Sequence, residues 1–296
     1  MQKTIQLIGA PMDLGQNHRG VDMGPSAIRY AGLEESLIRL GYTVRDLGNL
    51  PVPQRHGLGK LDREKLYSAI HQGCEMVCEA ACNAMQAQKS AIFLGGDHTI
   101  AIGSISGLTC KQELGVLWID AHGDSNTPQS SLTGNIHGMP LSVLLGHGHA
   151  ELVNVGGKGA KLRPENVVLV GVRDFDPSEK KFLNDLGVHI LTMRNIDERG
   201  MGKVMQEALH KLSHCQQLHV SLDMDCLDPQ TAPGVGTPCP GGITYREAQL
   251  AMEIIADTGR CNSLDLVEIN PILDHGNKTA QVAVDLAVSL AGKTIL

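Results

Sequence analysis

The chain has 296 residues, 42% of them hydrophobic and only 3% aromatic, enough aliphatic material for a large core packed between layers. Its formal charge of -7 argues against nucleic-acid and anionic-membrane partners, which require a basic excess, and suits a cationic small molecule. No run of about 18 apolar residues is present, and the opening apolar stretch is too short for a secretory signal, so the expected address is the cytoplasm.

In chain order, a strand predicted at 4–9 leads through a loop-rich stretch (10–24) into a helix at 25–40, a strand at 43–47 and a second loop, 48–60. A long helix at 62–88, a strand at 91–94, a helix at 100–108 and a strand at 115–120 precede a third loop, 121–139. Strands at 167–171 and 188–191 alternate with helices at 178–186 and 197–213. A strand at 217–222, a fourth loop (226–243), a helix at 245–257, a strand at 263–268 and a helix at 278–291 complete the chain. The helix at 245 opens on the capping-box pattern Thr244-Tyr245-Arg246-Glu247. Aliphatic strands alternating with amphipathic helices are the pattern of βαβ units, so the expected class is α/β with an eight-stranded parallel sheet. Neither a repeat nor a Pro/Ser-rich linker interrupts it, which points to one domain over 1–296.

The eight cysteines are too sparse for a disulfide framework. Cys74, Cys78 and Cys82 fall at i, i+4 and i+8, a helical stripe of small core residues, and no C-x-x-C pair suggests zinc.

Acidic and histidine residues concentrate where aliphatic runs end: Gly95-Gly96-Asp97-His98, Asp120-Ala121-His122-Gly123-Asp124, Asp223-Met224-Asp225, and Glu268-Ile269-Asn270. In open parallel sheets ligands bind at the carboxyl ends of strands, so these groups should meet in one crevice. So many carboxylates cannot all ionise in a low-dielectric cleft without a cation. In Asp120-x-His122-x-Asp124 and Asp223-x-Asp225 alternate residues of an extended segment would point together, and His98 adds an imidazole. His98, Asp120, His122, Asp124, Asp223 and Asp225 make a set of two neutral and four anionic ligands, suited to two divalent ions. Its oxygen-rich character favours Mn²⁺ over structural zinc. Two ions about 3.5–4 Å apart could share a bridging water and lower its pKa toward neutrality, making hydroxide the expected nucleophile. Two other motifs carry no chemistry: His147-Gly148-His149 lacks a carboxylate partner, and Gly156-Gly157-Lys158-Gly159 has no phosphate-loop spacing.

In this order the motifs resemble the ureohydrolase family, and its arginase branch in particular. Gly9-Ala10-Pro11, Arg19-Gly20-Val21 and Gly24-Pro25 at the start, the segments around 126–138, and Gly236-Thr237-Pro238 extend the likeness over essentially the whole chain. The resemblance implies a three-layer α/β/α fold, two Mn²⁺ per subunit, hydrolysis of L-arginine to L-ornithine and urea, and a trimer or hexamer. His98, Asp120, Asp124 and Asp225 would hold one ion or the bridge, with His122 and Asp223 completing the pair. His137 would relay protons, Asp124 would accept one, and Glu268 would bind the guanidinium. Asn126, Thr133 and Asp176 would contact the amino-acid head group. As Asp-Pro, Asp176 also reads as a helix N-cap, and Thr237 reads either as pocket lining or as a turn. Position 133 is Thr where arginases usually carry Ser, which adds a methyl near the expected carboxylate site. The alternatives are an amidinohydrolase for a decarboxylated substrate such as agmatine, and a silent binding protein on the same scaffold.

Overall fold

A computed structural model describes residues 4–58 and 62–294. Its strands are β1 (Thr4–Ala10), β2 (Thr43–Asn49), β3 (Ser90–Gly95), β4 (Leu114–Ile119), β5 (Val167–Val172), β6 (His189–Thr192), β7 (Gln217–Asp223) and β8 (Cys261–Val267). They form one sheet in the order β2-β1-β3-β8-β7-β4-β5-β6, with every pair parallel. Strands such as β3 (SAIFLG) and β4 (LGVLWI) are buried at every position, as a parallel sheet covered on both faces requires.

The helices are α1 (Gly24–Tyr30), α2 (Leu33–Arg39), α3 (Arg63–Gln86), α4 (Ile100–Leu108), α5 (Pro140–Leu144), α6 (Ala150–Val153), α7 (Pro177–Leu186), α8 (Met193–Arg199), α9 (Met201–Lys211), α10 (Tyr245–Asp257) and α11 (Lys278–Leu290). Side-chain alternation along the strands separates two cores. Leu117, Ile119, Val220 and Leu222 pack with α1, α2 and α8 to α11, whereas Val116, Trp118, Phe93 and Leu169 pack with α3 to α7. None of the described helices is long and apolar enough to cross a membrane.

Two helices expected to be continuous are broken. Gly32, at φ +85°, separates α1 from α2, and Gly200, at φ +78°, separates α8 from α9. Both backbones adopt a conformation open mainly to glycine. Helix α8 also starts earlier than expected, because Thr192 and Asn195 close a capping box in front of it. The short α5 and α6 lie where no helix was expected.

The register of the four central strands sets up the site. Leu94 of β3 pairs with Leu266 of β8, Leu266 with Leu222 of β7, and Leu222 with Ile119 of β4. These strands therefore reach the carboxyl edge of the sheet level with one another, and the residues that follow them enter one crevice. Deeper between β7 and β8, His219 and Asp265 are both fully buried. His219 Nε2 is 3.3 Å from Asp265, Ser263 lies 2.9 Å from His219 Nδ1, and the Ser104 hydroxyl donates to Asp265 at 2.6 Å.

Candidate metal centre and adjoining cleft

His98 emerges from the turn after β3, at the head of α4, with its ring completely buried. Its Nε2 is 2.8 Å from the Ser221 hydroxyl of β7, and the ring stacks on Trp118 of β4 with centroids 4.3 Å apart. These two contacts fix the ring plane and aim Nδ1 at three carboxylates. Asp124 lies 2.9 Å from it, Asp223 3.2 Å and Asp120 3.3 Å. Nδ1 nevertheless makes no hydrogen bond.

A second imidazole stands beside this group. His122 Nδ1 is 3.0 Å from Asp225 and 3.5 Å from Asp120. Among the described residues, two sets of ligand atoms are compact enough to hold an ion, His98 with Asp120 and Asp223, and Asp120 with His122 and Asp225. Asp120 belongs to both. Its carboxylate is held by the His122 amide at 2.7 Å and the Trp118 indole at 3.0 Å.

This grouping exchanges Asp223 and Asp225 relative to the division expected from sequence: Asp223 stands with His98, and Asp225 with His122. The reason is local. The chain stops being extended after Asp223 and enters a 3-10 turn over Met224–Cys226, where the Asp225 amide donates to Asp223 Oδ1 at 2.8 Å. The two carboxylates thus diverge instead of sharing a face. Asp124 likewise reaches His98 only through a left-handed backbone, φ +46°. A non-glycine residue held in that region stores strain, which recurs at functional sites.

The donor chemistry fits a pair of divalent cations. Burial and the negative charges of Asp225 and Asp120 push the Asp223 carboxyl well up, and burial with Asp120 pushes Asp124 up to about 6. Burial and Asp120 also raise Asp225. Burial opposes charge on His98 and His122 as well, yet the surrounding carboxylates override it and drive both imidazoles upward. Left to itself, the cluster would have to hold protons to balance its charge. An orphaned buried nitrogen ringed by carboxylate oxygens is the arrangement a cation satisfies.

Glu268, at φ +65° just past β8, closes the inner side of the cluster. Its Oε1 accepts the His98 amide at 2.9 Å and lies 2.9 Å from His137 Nδ1, while its Oε2 accepts from Gln16 Nε2 at 2.5 Å. Burial works against charge on His137, but the Glu268 carboxylate raises it to about 9. Gln16 and Asp97 were not among the expected site residues. Asp97 is fully buried and accepts the Gly15 amide at 2.7 Å, while the His137 amide donates to the Gly15 carbonyl at 3.0 Å. The loop around Gly15 and Gln16 therefore ties the His98, His137 and Glu268 segments together.

A cleft of about 180 Å³ opens from the cluster. Asn126, Thr133, Asp176 and Thr237 all line it. Asn126 Nδ2 donates to Asp176 at 2.9 Å, and Asp176, at the rim of the cleft, is also the N-cap of α7. Thr237 donates to Asp225 at 3.0 Å. Glu179, unremarked in the sequence, accepts from the Ser125 amide at 2.9 Å, and burial raises its carboxyl to about 7. Its only sequence signal was the Asp-x-x-Glu capping pattern from Asp176. Elsewhere, His149 stacks on Tyr67 and His147 packs edge-on against Phe182, outside either ligand group.

Residues 3–292 match the model of the arginase family. The chain is 52% identical to an arginase of Bacillus subtilis (strain 168) over 298 residues, covering 100% of both chains. It is 49% identical to an arginase of Bacillus caldovelox, covering 99% of this chain and 100% of that one. The native structure of the Bacillus caldovelox arginase superposes with a TM-score of 0.96 at 48% identity, covering 99% of this chain and 100% of that chain.

Proposed function

This chain belongs to the arginase family, and on that premise we propose that it hydrolyses L-arginine to L-ornithine and urea at two Mn²⁺ ions. The observation that carries this reading is the pair of ligand groups sharing Asp120, set beside the buried carboxylate of Glu268. His98, Asp124 and Asp223 would hold one ion, His122 and Asp225 the other, and Asp120 both. When bound, such ions supply Lewis acidity and lower the pKa of water from 15.7 to about 7.

The chain's own residues bind and move protons. A guanidinium stays protonated at physiological pH and presents a planar fork of donors, which a fixed carboxylate can orient. Glu268 serves that purpose: Gln16 and the His98 amide fix its plane, and Oε2 keeps a free lone pair. Asp124, raised by burial, accepts the proton released as the guanidinium carbon is attacked. His137 holds a proton at neutral pH and has Nδ1 engaged by Glu268, which leaves Nε2 to donate to the departing amine. Asn126, Thr133 and Asp176 take the α-carboxylate and α-amino end, with Thr237 bracing Asp225. We further place the enzyme in the cytoplasm as a homo-oligomer, a trimer or hexamer, with residues 1–296 as one catalytic domain.

The discriminating experiment compares substrates after pre-incubation with Mn²⁺. Urea release from L-arginine should exceed that from agmatine by at least about 100-fold, because polar groups built for the head group are left unpaired by a substrate that lacks its carboxylate. Faster or equal agmatine turnover would overturn the substrate assignment. Replacing Gln16 by Leu removes a donor to a buried charge and should lower kcat/KM about 10- to 100-fold, with metal content unchanged by elemental analysis. Unaltered kinetics would detach Gln16 from Glu268.

A further inference from the structure

Helices α3 and α4 are pressed together where glycine permits it. A Cβ on Gly103 would collide with the Cys74 carbonyl, and one on Gly107 with the Cys78 carbonyl. The cysteine stripe of α3 therefore runs along the glycine edge of α4. One step further on, where α4 has ended, Cys82 meets Cys110 with the two sulfurs 2.8 Å apart. Cys110 is exposed and Cys82 half-buried, so reagents can reach the pair. Gln86, one turn after Cys82, donates to its sulfur at 3.3 Å.

Gln86 also lines a cleft of about 540 Å³ at the amino ends of the central strands, the edge of the sheet opposite the metal cluster. Lys89 and Lys111 line it among amides, small groups and Met85, and none of the described residues that line it is acidic. Lys111 directly follows Cys110. The cleft suits an anionic molecule of modest size, and it adjoins a dithiol.

We propose that Cys82 and Cys110 form a dithiol site that exchanges with an anionic low-molecular-weight disulfide held in this cleft, closing an intramolecular disulfide. One thiolate attacks the small disulfide, forming a mixed disulfide and expelling one small thiolate. The other thiolate then attacks the protein sulfur of that mixed disulfide and expels the second. Two protein thiols are oxidised, two small thiols are formed, and the two protons pass to the departing sulfurs. A bond needs the sulfurs at about 2.05 Å, a movement of less than about 1 Å from where they stand. Burial and the neighbouring Cys82 push the Cys110 thiol up to about 11, so the exchange is slow at neutral pH and accelerates as pH rises. The closed loop encloses β3, the His98 turn and α4, and cross-linking it constrains the unfolded chain while the bond itself forms at the edge of the sheet away from the metal cluster.

The test incubates the reduced, metal-loaded enzyme with oxidised glutathione. The protein should become lighter by two hydrogens without retaining glutathione, and tryptic peptides 66–89 and 90–111 should be joined. The apparent melting temperature should rise by about 5 °C, with turnover unchanged. Cys82→Ser and Cys110→Ser should each abolish the cross-link, whereas Cys78→Ser should not. Exchanging Lys89 and Lys111 for Gln should slow the reaction with oxidised glutathione about five-fold and leave that with cystamine, a cationic disulfide, no slower than before, or faster by relief of repulsion. An unchanged mass, a stable glutathione adduct in the wild type, or a cross-link that survives Cys110→Ser would overturn the dithiol. Equal rates in the lysine variant would overturn the anionic cleft.

Discussion

Asp120→Asn should strip the enzyme of both metal ions, whereas His122→Ala should cost it one. Asp120 is the residue common to both ligand groups, while His122 serves a single group. The substitution is nearly isosteric but fails chemically. The Asp120 carboxylate accepts the His122 amide on one oxygen and the Trp118 indole on the other. An amide there must turn an N–H toward one of those two donors, and it also removes one of four anionic ligands. Elemental analysis of the Asp120→Asn enzyme should find well under one ion per chain, and turnover should fall by at least about 10³-fold, on the order of 4 kcal/mol. Two tightly held ions in Asp120→Asn would refute the shared-ligand arrangement.

Glu268→Gln should behave oppositely, keeping the metal while losing the substrate. The glutamine still offers an oxygen to the His98 amide, and Gln16, whose own Oε1 has no partner, can turn to accept the new N–H, so the metal-ligand turn keeps its support. What disappears is the negative charge opposite the guanidinium. Truncating one partner of a buried charge pair costs about 2–5 kcal/mol, which corresponds to about 30- to 5,000-fold in kcat/KM for L-arginine. The same change withdraws the carboxylate that raises His137 to about 9. The His137 pKa should then fall, because a neighbouring anion no longer favours the imidazolium, and the alkaline limb of the kcat profile should move to lower pH. Steady-state kinetics across pH, paired with metal analysis, reads both effects. Wild-type kcat/KM in Glu268→Gln would remove this carboxylate from guanidinium recognition.

The central strands were legible because a doubly covered parallel sheet leaves unbroken aliphatic runs, and β3 and β4 are written that way, whereas the edge strand β2 is largely exposed and polar. The breaks at Gly32 and Gly200 were harder to see. A glycine inside a helical pattern is tolerated as often as it ends a helix, and tertiary packing decides which. Convergence of the acidic motifs followed from their position after strands that end in register. Their division into two groups did not, since it depends on a 3-10 turn at Met224 and a left-handed Asp124, neither of which side-chain periodicity encodes. Gln16 and Asp97 act across 252 and 82 residues of sequence, on Glu268 and on the Gly15 amide respectively, and only the fold creates those contacts. His219 and Asp265 were concealed within aliphatic strands, where a buried polar pair breaks the alternation without announcing a partner.

The most direct measurement is a crystal structure of the Mn²⁺-loaded enzyme with anomalous scattering collected at the manganese edge. Two peaks about 3.5–4 Å apart are expected in each chain, one against His98 and Asp223, the other against His122 and Asp225, with Asp120 touching both. A single peak, or manganese bound away from these five side chains and Asp124, would contradict the assignment.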